Sequence, residues 1–183
     1  MNGANFPYEA LCTRLQSRPS KDDIMGIATE ALSDASLLDG LLRLMFVGDA
    51  SLRWRAAWAV DKVSLQHPSL LMRWHREIVQ CAMSDGVADG FRRLALSILY
   101  NLPDEEVLDV AFFNFLLEKM ADLQSPPGVQ ALSMKLAFRM SRADDDLHEE
   151  FLCILRNMYA EYYSAGVVSV MRKGLKNQKK KYE

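Results

Sequence analysis

The sequence is poor in cysteine: Cys12, Cys81 and Cys153 are three scattered thiols, with no Cys-x-x-Cys pair among 183 residues. An odd, dispersed set excludes a disulfide framework and reads as reduced thiols within helices, hence a cytoplasmic chain. Long hydrophobic runs are missing as well. No stretch approaches the roughly 18 uninterrupted apolar residues of a membrane-crossing helix. Met1 to Leu15 lack the cationic start and apolar core of a secretory signal. Excess charge of one sign is absent overall, with 22 cations against 24 anions. A net charge of −2 argues against a protein that grips nucleic acid over its whole surface. Convincing two-residue alternation is nowhere to be found, which leaves no strand to assign.

What is present is ordinary in amount and unusual in arrangement. Half the residues are apolar and a quarter charged, as in a folded soluble chain. These residues repeat. Leu41, Val79, Leu117 and Leu155 lie 38 apart, as do Leu37, His75, Phe113 and Phe151. Leu52, Phe91, Val129 and Val167 follow at spacings of 39, 38 and 38, each preceded by a small residue: Ser51, Gly90, Gly128 and Gly166. A period of this size built from two helical patterns marks stacked helical hairpins.

Helix start and stop signals divide the repeats. Ser36-Leu-Leu-Asp39 reads as a capping box, Ser69 after His67-Pro68 as another start, and Ser125-Pro126-Pro127 as a start with proline in the first turn. Asp104 and the Asp144-Asp145-Asp146 run place negative charge at two further N-termini. Stops fall at Gly48-Asp49, Ser84-Asp85-Gly86 and Asn101-Leu102-Pro103. The pattern predicts first helices over 36–47, 69–83, 104–123 and 145–162, and second helices over 51–66, 89–101, 127–141 and 165–177. Residues 1–35 carry two shorter helical patterns, at 8–16 and 21–32, that fit the period poorly and read as an irregular capping unit. Residues 178–183 form a basic tail. From Arg172 onward the chain carries net +5, so the remainder carries −7. No linker composition appears, so the expectation is a single domain over 1–183.

The segment Gly48-Asp-Ala-Ser-Leu52-Arg53-Trp-Arg-Ala56-Ala57-Trp-Ala59-Val60 resembles the second-helix signature of HEAT repeats. In that family an Asp precedes a helix that opens with an aliphatic residue and Arg, then small residues ending in an aliphatic one. Asp49, Leu52, Arg53, Ala56, Ala57, Ala59 and Val60 occupy those places here. The second unit keeps Phe91, Arg92, Ala95 and Leu99. The third keeps Val129, Ser133 and Ala137 but has Gln130 at the Arg position, and the fourth has Val168 there. The resemblance covers roughly residues 36–177. It implies an all-α fold, a right-handed α-α superhelix forming a short HEAT-like (armadillo-like) solenoid of about four hairpins behind an atypical N-terminal cap. On function it is almost silent, since fold does not fix function.

At 100° per residue, Leu52, Ala56, Val60 and Val63 share one face, which must be the core face. Trp54, Trp58, Asp61 and Leu65 fall opposite. The same register gives Arg93, Ser97 and Tyr100 in the second unit, Ala131, Lys135, Phe138 and Arg142 in the third, and Ser169, Lys173 and Lys176 in the fourth. Second helices line the concave side of a HEAT-like stack. The expected groove therefore interleaves Trp54, Trp58, Tyr100 and Phe138 with Arg93, Lys135, Arg142 and Lys173, with Asp61 as the acid among them. Aromatic faces supply contact area and cations attract carboxylates or phosphates. Against this, the tryptophans can equally pack on the N-terminal unit and Trp74, and outward lysines are commonly just solvated.

The expectation is a non-catalytic protein- or peptide-binding or scaffold module for an acidic peptide, with no complete catalytic motif, no cofactor and no membrane span. Burial of the groove in a dimer is a further option. The alternative is an enzyme: DNA-alkylation-repair glycosylases are HEAT-like solenoids that hold a damaged nucleotide with Trp, Asp and Arg. Trp54, Trp58, Asp61 and Arg93 are similar in type, and Asp61 would stabilise the developing sugar cation. Metal is not expected. His148-Glu149-Glu150 sits at a helix start, and His67 and His75 lack partnering ligands at a usable spacing.

Overall fold

The computed structural model describes residues 6–103 and 108–179. Among these the chain is all-α: α1 (Phe6–Gln16), α2 (Lys21–Ala31), α3 (Ala35–Val47), α4 (Ala50–Gln66), α5 (His75–Met83), α6 (Asp89–Asn101), α7 (Val110–Ala121), α8 (Pro127–Ser141), α9 (Asp145–Asn157) and α10 (Ala165–Lys179). Short 3₁₀ segments occupy Pro68–Trp74 and Ala160–Tyr162. The helices gather into two compact units, Met1–Pro103 and Asp104–Glu183.

Local chemistry sets the helix starts. Asp34, Asp49 and Asp144 each accept two backbone N–H groups of the turn that follows, and Asp109 accepts one from Phe112. Such caps stabilise a helix by about 1 kcal/mol each. Several expected boundaries move as a result. Asp34 rather than Ser36 caps α3, taking the Ser36 and Leu37 N–H groups, while Asp39 pairs with Arg73. The capping box lies instead at Ser20 and Asp23, whose side chains and backbone N–H groups bond reciprocally. Ser69 opens no α-helix. His67-Pro68 leads into a 3₁₀ segment, and α5 starts only at His75. The third first helix begins at Val110 behind Asp109; Asp104 lies outside the described residues. The fourth stops at Asn157, before the 3₁₀ turn at Ala160–Tyr162.

In the first unit α3 pairs with α4 and α5 with α6. The second helices α2, α4 and α6 pack in one row, and α1, α3 and α5 in the other. Residues 6–31 thus extend both rows, α1 on α3 and α2 on α4. The Arg14 guanidinium donates to both Glu30 carboxylate oxygens at 2.7 and 2.9 Å, linking α1 to α2. Arg55 of α4 donates to the Leu15 carbonyl at 2.8 Å, closing the end of α1. Helix α4 touches helices on three sides, and Ala56, Ala57 and Ala59 are what let them approach: all three are fully buried. The core around it is built from Leu41, Leu42, Leu44 and Met45 of α3 and Phe91, Leu94, Ala95 and Ile98 of α6.

In the second unit α7 pairs with α8, and α10 packs mainly on α8 with a lighter contact to α9. Phe113, Leu116 and Met120 of α7, Val129, Met134 and Ala137 of α8, and Phe151, Leu152 and Leu155 of α9 form its core. Gly174 brings α10 close to α9: a Cβ there would stand 2.9 Å from Leu155 Cδ2 and 3.8 Å from the Phe151 ring.

Candidate binding surface on α4 and α6

Two contacts fix how α4 and α6 lie side by side. The Trp54 Nε1 edge sits over Gly90, 3.2 Å from where a Cβ would be. Eleven residues on, the Asn101 amide donates to Ser64 Oγ at 2.9 Å, and Ser64 Oγ donates to the Asp61 carbonyl at 2.7 Å. Ala57 and Ser64, the residues of α4 turned toward α6, are therefore closed off.

What stays open is a stripe of α4 and a stripe of α6. Trp54 is 38% exposed and Leu65 60%, with Trp58 half-buried between them. The Trp54 and Trp58 rings pack at 5.3 Å between centroids, tilted by 46°. On α6, Arg93 is exposed, Tyr100 is 39% exposed and Ser97 half-buried. The first unit therefore brings Trp54, Trp58, Arg93 and Tyr100 onto one row of second helices. Trp74 is not their partner: its ring meets Phe46 at 5.9 Å and the Arg73 guanidinium at 5.1 Å.

Asp61 differs from the expectation. It is only 5% exposed, covered on the flank that α6 closes. Its Oδ2 accepts from Lys62 Nζ at 2.8 Å, while Oδ1 has no hydrogen-bond partner among the described residues. Asp61 is enclosed because a helix with neighbours on three sides buries well over half its circumference. Without an exposed acid, the glycosylase resemblance loses the group it needed at a sugar cation. Lys62 was not singled out from the sequence, although it lies one helical turn beyond Trp58.

The second unit holds the other expected residues. Lys135 is half-buried on α8; Arg142 at the end of α8 and Lys173 on α10 are exposed. Phe138 is half-buried at the end of α8. Its ring packs against His148 at 6.0 Å and Phe151 at 5.8 Å, because α9 folds back over the end of α8. His148 Nδ1 lies 3.0 Å from Ser141 Oγ in the same cluster. Tyr159 and Tyr162, 67% and 63% exposed, went unremarked in the sequence because they sit in a turn without periodicity. Among the described residues no group of three or more His, Cys, Asp or Glu is placed to hold a metal ion. No described helix is long and apolar enough to cross a membrane.

Comparison with protein families decides what this architecture is. The model of the HEAT repeat domain matches residues 11–178, nearly the whole chain. The chain is a HEAT-repeat protein. The match starts within α1, so the family pattern reaches further toward the N-terminus than the 38-residue period showed. No curated protein matches the chain, and no solved structure matches it either. HEAT repeats act in general as protein-interaction scaffolds.

The HEAT-repeat arginines have a visible task here. Arg53 Nε donates to the Met45 carbonyl at the end of α3, and its guanidinium lies 4.6 Å above the Phe91 ring. Arg92 repeats this at the end of α5, with Nε on the Ala82 carbonyl at 3.0 Å and Nη2 on the Ser84 carbonyl at 2.8 Å. In the third hairpin Gln130 Nε2 donates to the Asp122 carbonyl at 2.9 Å. The Tyr163 hydroxyl donates to the neighbouring Ala121 carbonyl at the same end of α7 at 2.9 Å, whereas Val168, at the Arg position of the fourth hairpin, has nothing to donate to the end of α9. Each side chain satisfies a carbonyl left over at a helix C-terminus. Burial raises the Tyr163 pKa, with the Asp122 carboxylate adding to the effect, so the hydroxyl stays a donor. Burial likewise raises the Cys81 thiol, against the opposing pull of Arg53.

Proposed function

We propose that this HEAT-repeat protein binds an acidic protein segment along the α4–α6 face of its first unit. The observation that carries the reading is the exposed Trp54–Trp58–Leu65 stripe beside Arg93 and Tyr100. Large aromatic and aliphatic side chains left in water at the centre of a face are the usual anchors of an interface. The nearby cations select the sign of the partner: Arg93 is exposed and can meet a carboxylate bidentately. From Trp54 to Leu65 the stripe runs 11 residues, about 16 Å of helix. That span suits either two to three turns of a partner helix or about five residues of extended chain.

The test uses tryptophan emission with a panel of synthetic peptides that pair leucine or phenylalanine anchors with aspartate and glutamate. Acidic members shift the emission, and their charge-neutral amide counterparts bind more weakly. Arg93→Glu and Leu65→Asp should each weaken the acidic peptides about tenfold, with helix content unchanged by circular dichroism. Equal binding of acidic and neutral peptides, or indifference to both substitutions, refutes the reading.

A further inference from the structure

Charge in the second unit is sorted by helix. Helices α8 and α10, which pack against each other, carry six Lys or Arg between them and no Asp or Glu. The neighbouring α9 holds Asp145, Asp146, Glu149 and Glu150 against a single cation, Arg156. On α10, Arg172, Lys173 and Lys176 are exposed and lie opposite the buried Val167, Met171 and Gly174. Arg142, just past the end of α8, is exposed too, and its spacing puts it on one stripe with Lys135 and Arg139. Among the described residues none of these four exposed cations forms an ion pair. The helix dipole favours a cation in the last turn of α10, which covers Lys176 but not Arg172 or Lys173. Arg172 and Lys176, one turn apart, repel each other, a cost that a bound anion removes.

What these helices lack selects the anion. Among the described residues no large apolar side chain is exposed on α8 or α10, and the Phe138 ring is taken up by His148 and Phe151. A protein partner needs apolar anchors at the centre of its interface, and a peripheral membrane helix sends Trp, Phe or Leu into the headgroup layer. A single strand of nucleic acid stacks its bases on aromatic platforms. A duplex needs none of these. Its phosphates are held by cations alone, and release of condensed counterions drives the binding. We propose that the α8–α10 side of the second unit docks on the phosphate backbone of a nucleic-acid duplex without reading its sequence. The net charge of −2 confines the contact to this cationic patch. This goes beyond the acidic segment assigned to the first unit and shares no residue with that face.

The test titrates the full chain into fluorescently labelled DNA duplexes of about 20 base pairs, in two unrelated sequences, between about 50 and 200 mM salt while anisotropy is followed. With three or four phosphates engaged, log K should fall against log salt with a slope of about −2.7 to −3.6, an affinity loss of about 40- to 150-fold over that range. The two sequences should bind within about twofold of each other. Arg172→Gln combined with Lys176→Gln should flatten the slope by about 2, with helix content unchanged because both side chains stand in water. Arg76→Gln, which removes an exposed cation of α5, should leave the slope as it is. No duplex binding at the lowest salt overturns the proposal, as does a slope that the double variant leaves intact. Tighter binding of a single strand or of a glutamate peptide of equal charge overturns it too. So does capture by vesicles with about 30% phosphatidylserine when the duplex is not bound. The acidic-peptide titration reads other residues in the first unit, so either reading can fail while the other stands.

Discussion

Arg92→Met should destabilise the protein more than Gln130→Leu, although both remove the same helix-closing contact. Arg92 is nearly buried, with 13% of its side chain exposed, and holds the Ala82 and Ser84 carbonyls at 3.0 and 2.8 Å. Its ion pair with Asp89 is long, 3.9 Å, and Asp89 is mostly exposed, so it adds little. Hydrogen bonds from a charged donor contribute about 1.5–3 kcal/mol each. The Ser84 carbonyl sits at an exposed turn and regains water once the arginine is gone, so the Ala82 bond carries most of the loss. The expected cost is about 2–3 kcal/mol, a drop in Tm of about 5–10 °C for a chain of this size. Gln130 makes one neutral bond, worth about 1 kcal/mol and a few degrees. Differential scanning calorimetry on the two variants, with circular dichroism to confirm helix content, reads the difference. Equal shifts, or no shift for Arg92→Met, would show that the repeated donor is ornamental and that hairpin packing alone holds these helix ends.

Other outcomes follow from particular contacts. Acrylamide should quench part of the tryptophan fluorescence readily, and Trp54→Phe should remove most of that accessible fraction, because Trp58 and Trp74 are more enclosed. Gly174→Ala should lower stability by about 1–3 kcal/mol, read by urea denaturation, since the new methyl group would press on Leu155 inside a closed contact. The Arg14 hydrogen bonds hold the Glu30 pKa below its ordinary value, so the pair's contribution is complete at neutral pH. It fades as pH falls below about 4.3, through the lowered value. Both side chains are about half exposed, so the contribution is at most about 1 kcal/mol, and Glu30→Gln should flatten that part of the acid limb.

The first and last residues of most helices were legible because capping is local: an aspartate two or three residues before a helical pattern acts on N–H groups of its own turn. Misplacements came where two local signals competed, as at Ser36 against Asp34, or where His67-Pro68 diverted the chain into a tighter helix. The placement of the residues on the proposed face was legible in part. Trp54, Trp58, Arg93 and Tyr100 come together because register alone carries them to one row of helices. Asp61 is enclosed and Phe138 half-covered for one shared reason. Each sits at the shoulder of its helix, and whether a shoulder is open depends on a neighbouring helix whose position no local pattern encodes.

By itself, then, the sequence determined the helices, their pairing into repeats and the family, since these rest on periodicity, caps and small-residue spacing within one chain segment. Only the tertiary structure decided which carbonyls the Arg53, Arg92 and Gln130 side chains close, that Tyr163 joins Gln130 at the end of α7, and that Asp61 is enclosed. Those outcomes depend on the distance and angle between packed helices, which are set by the joint fit of many buried side chains.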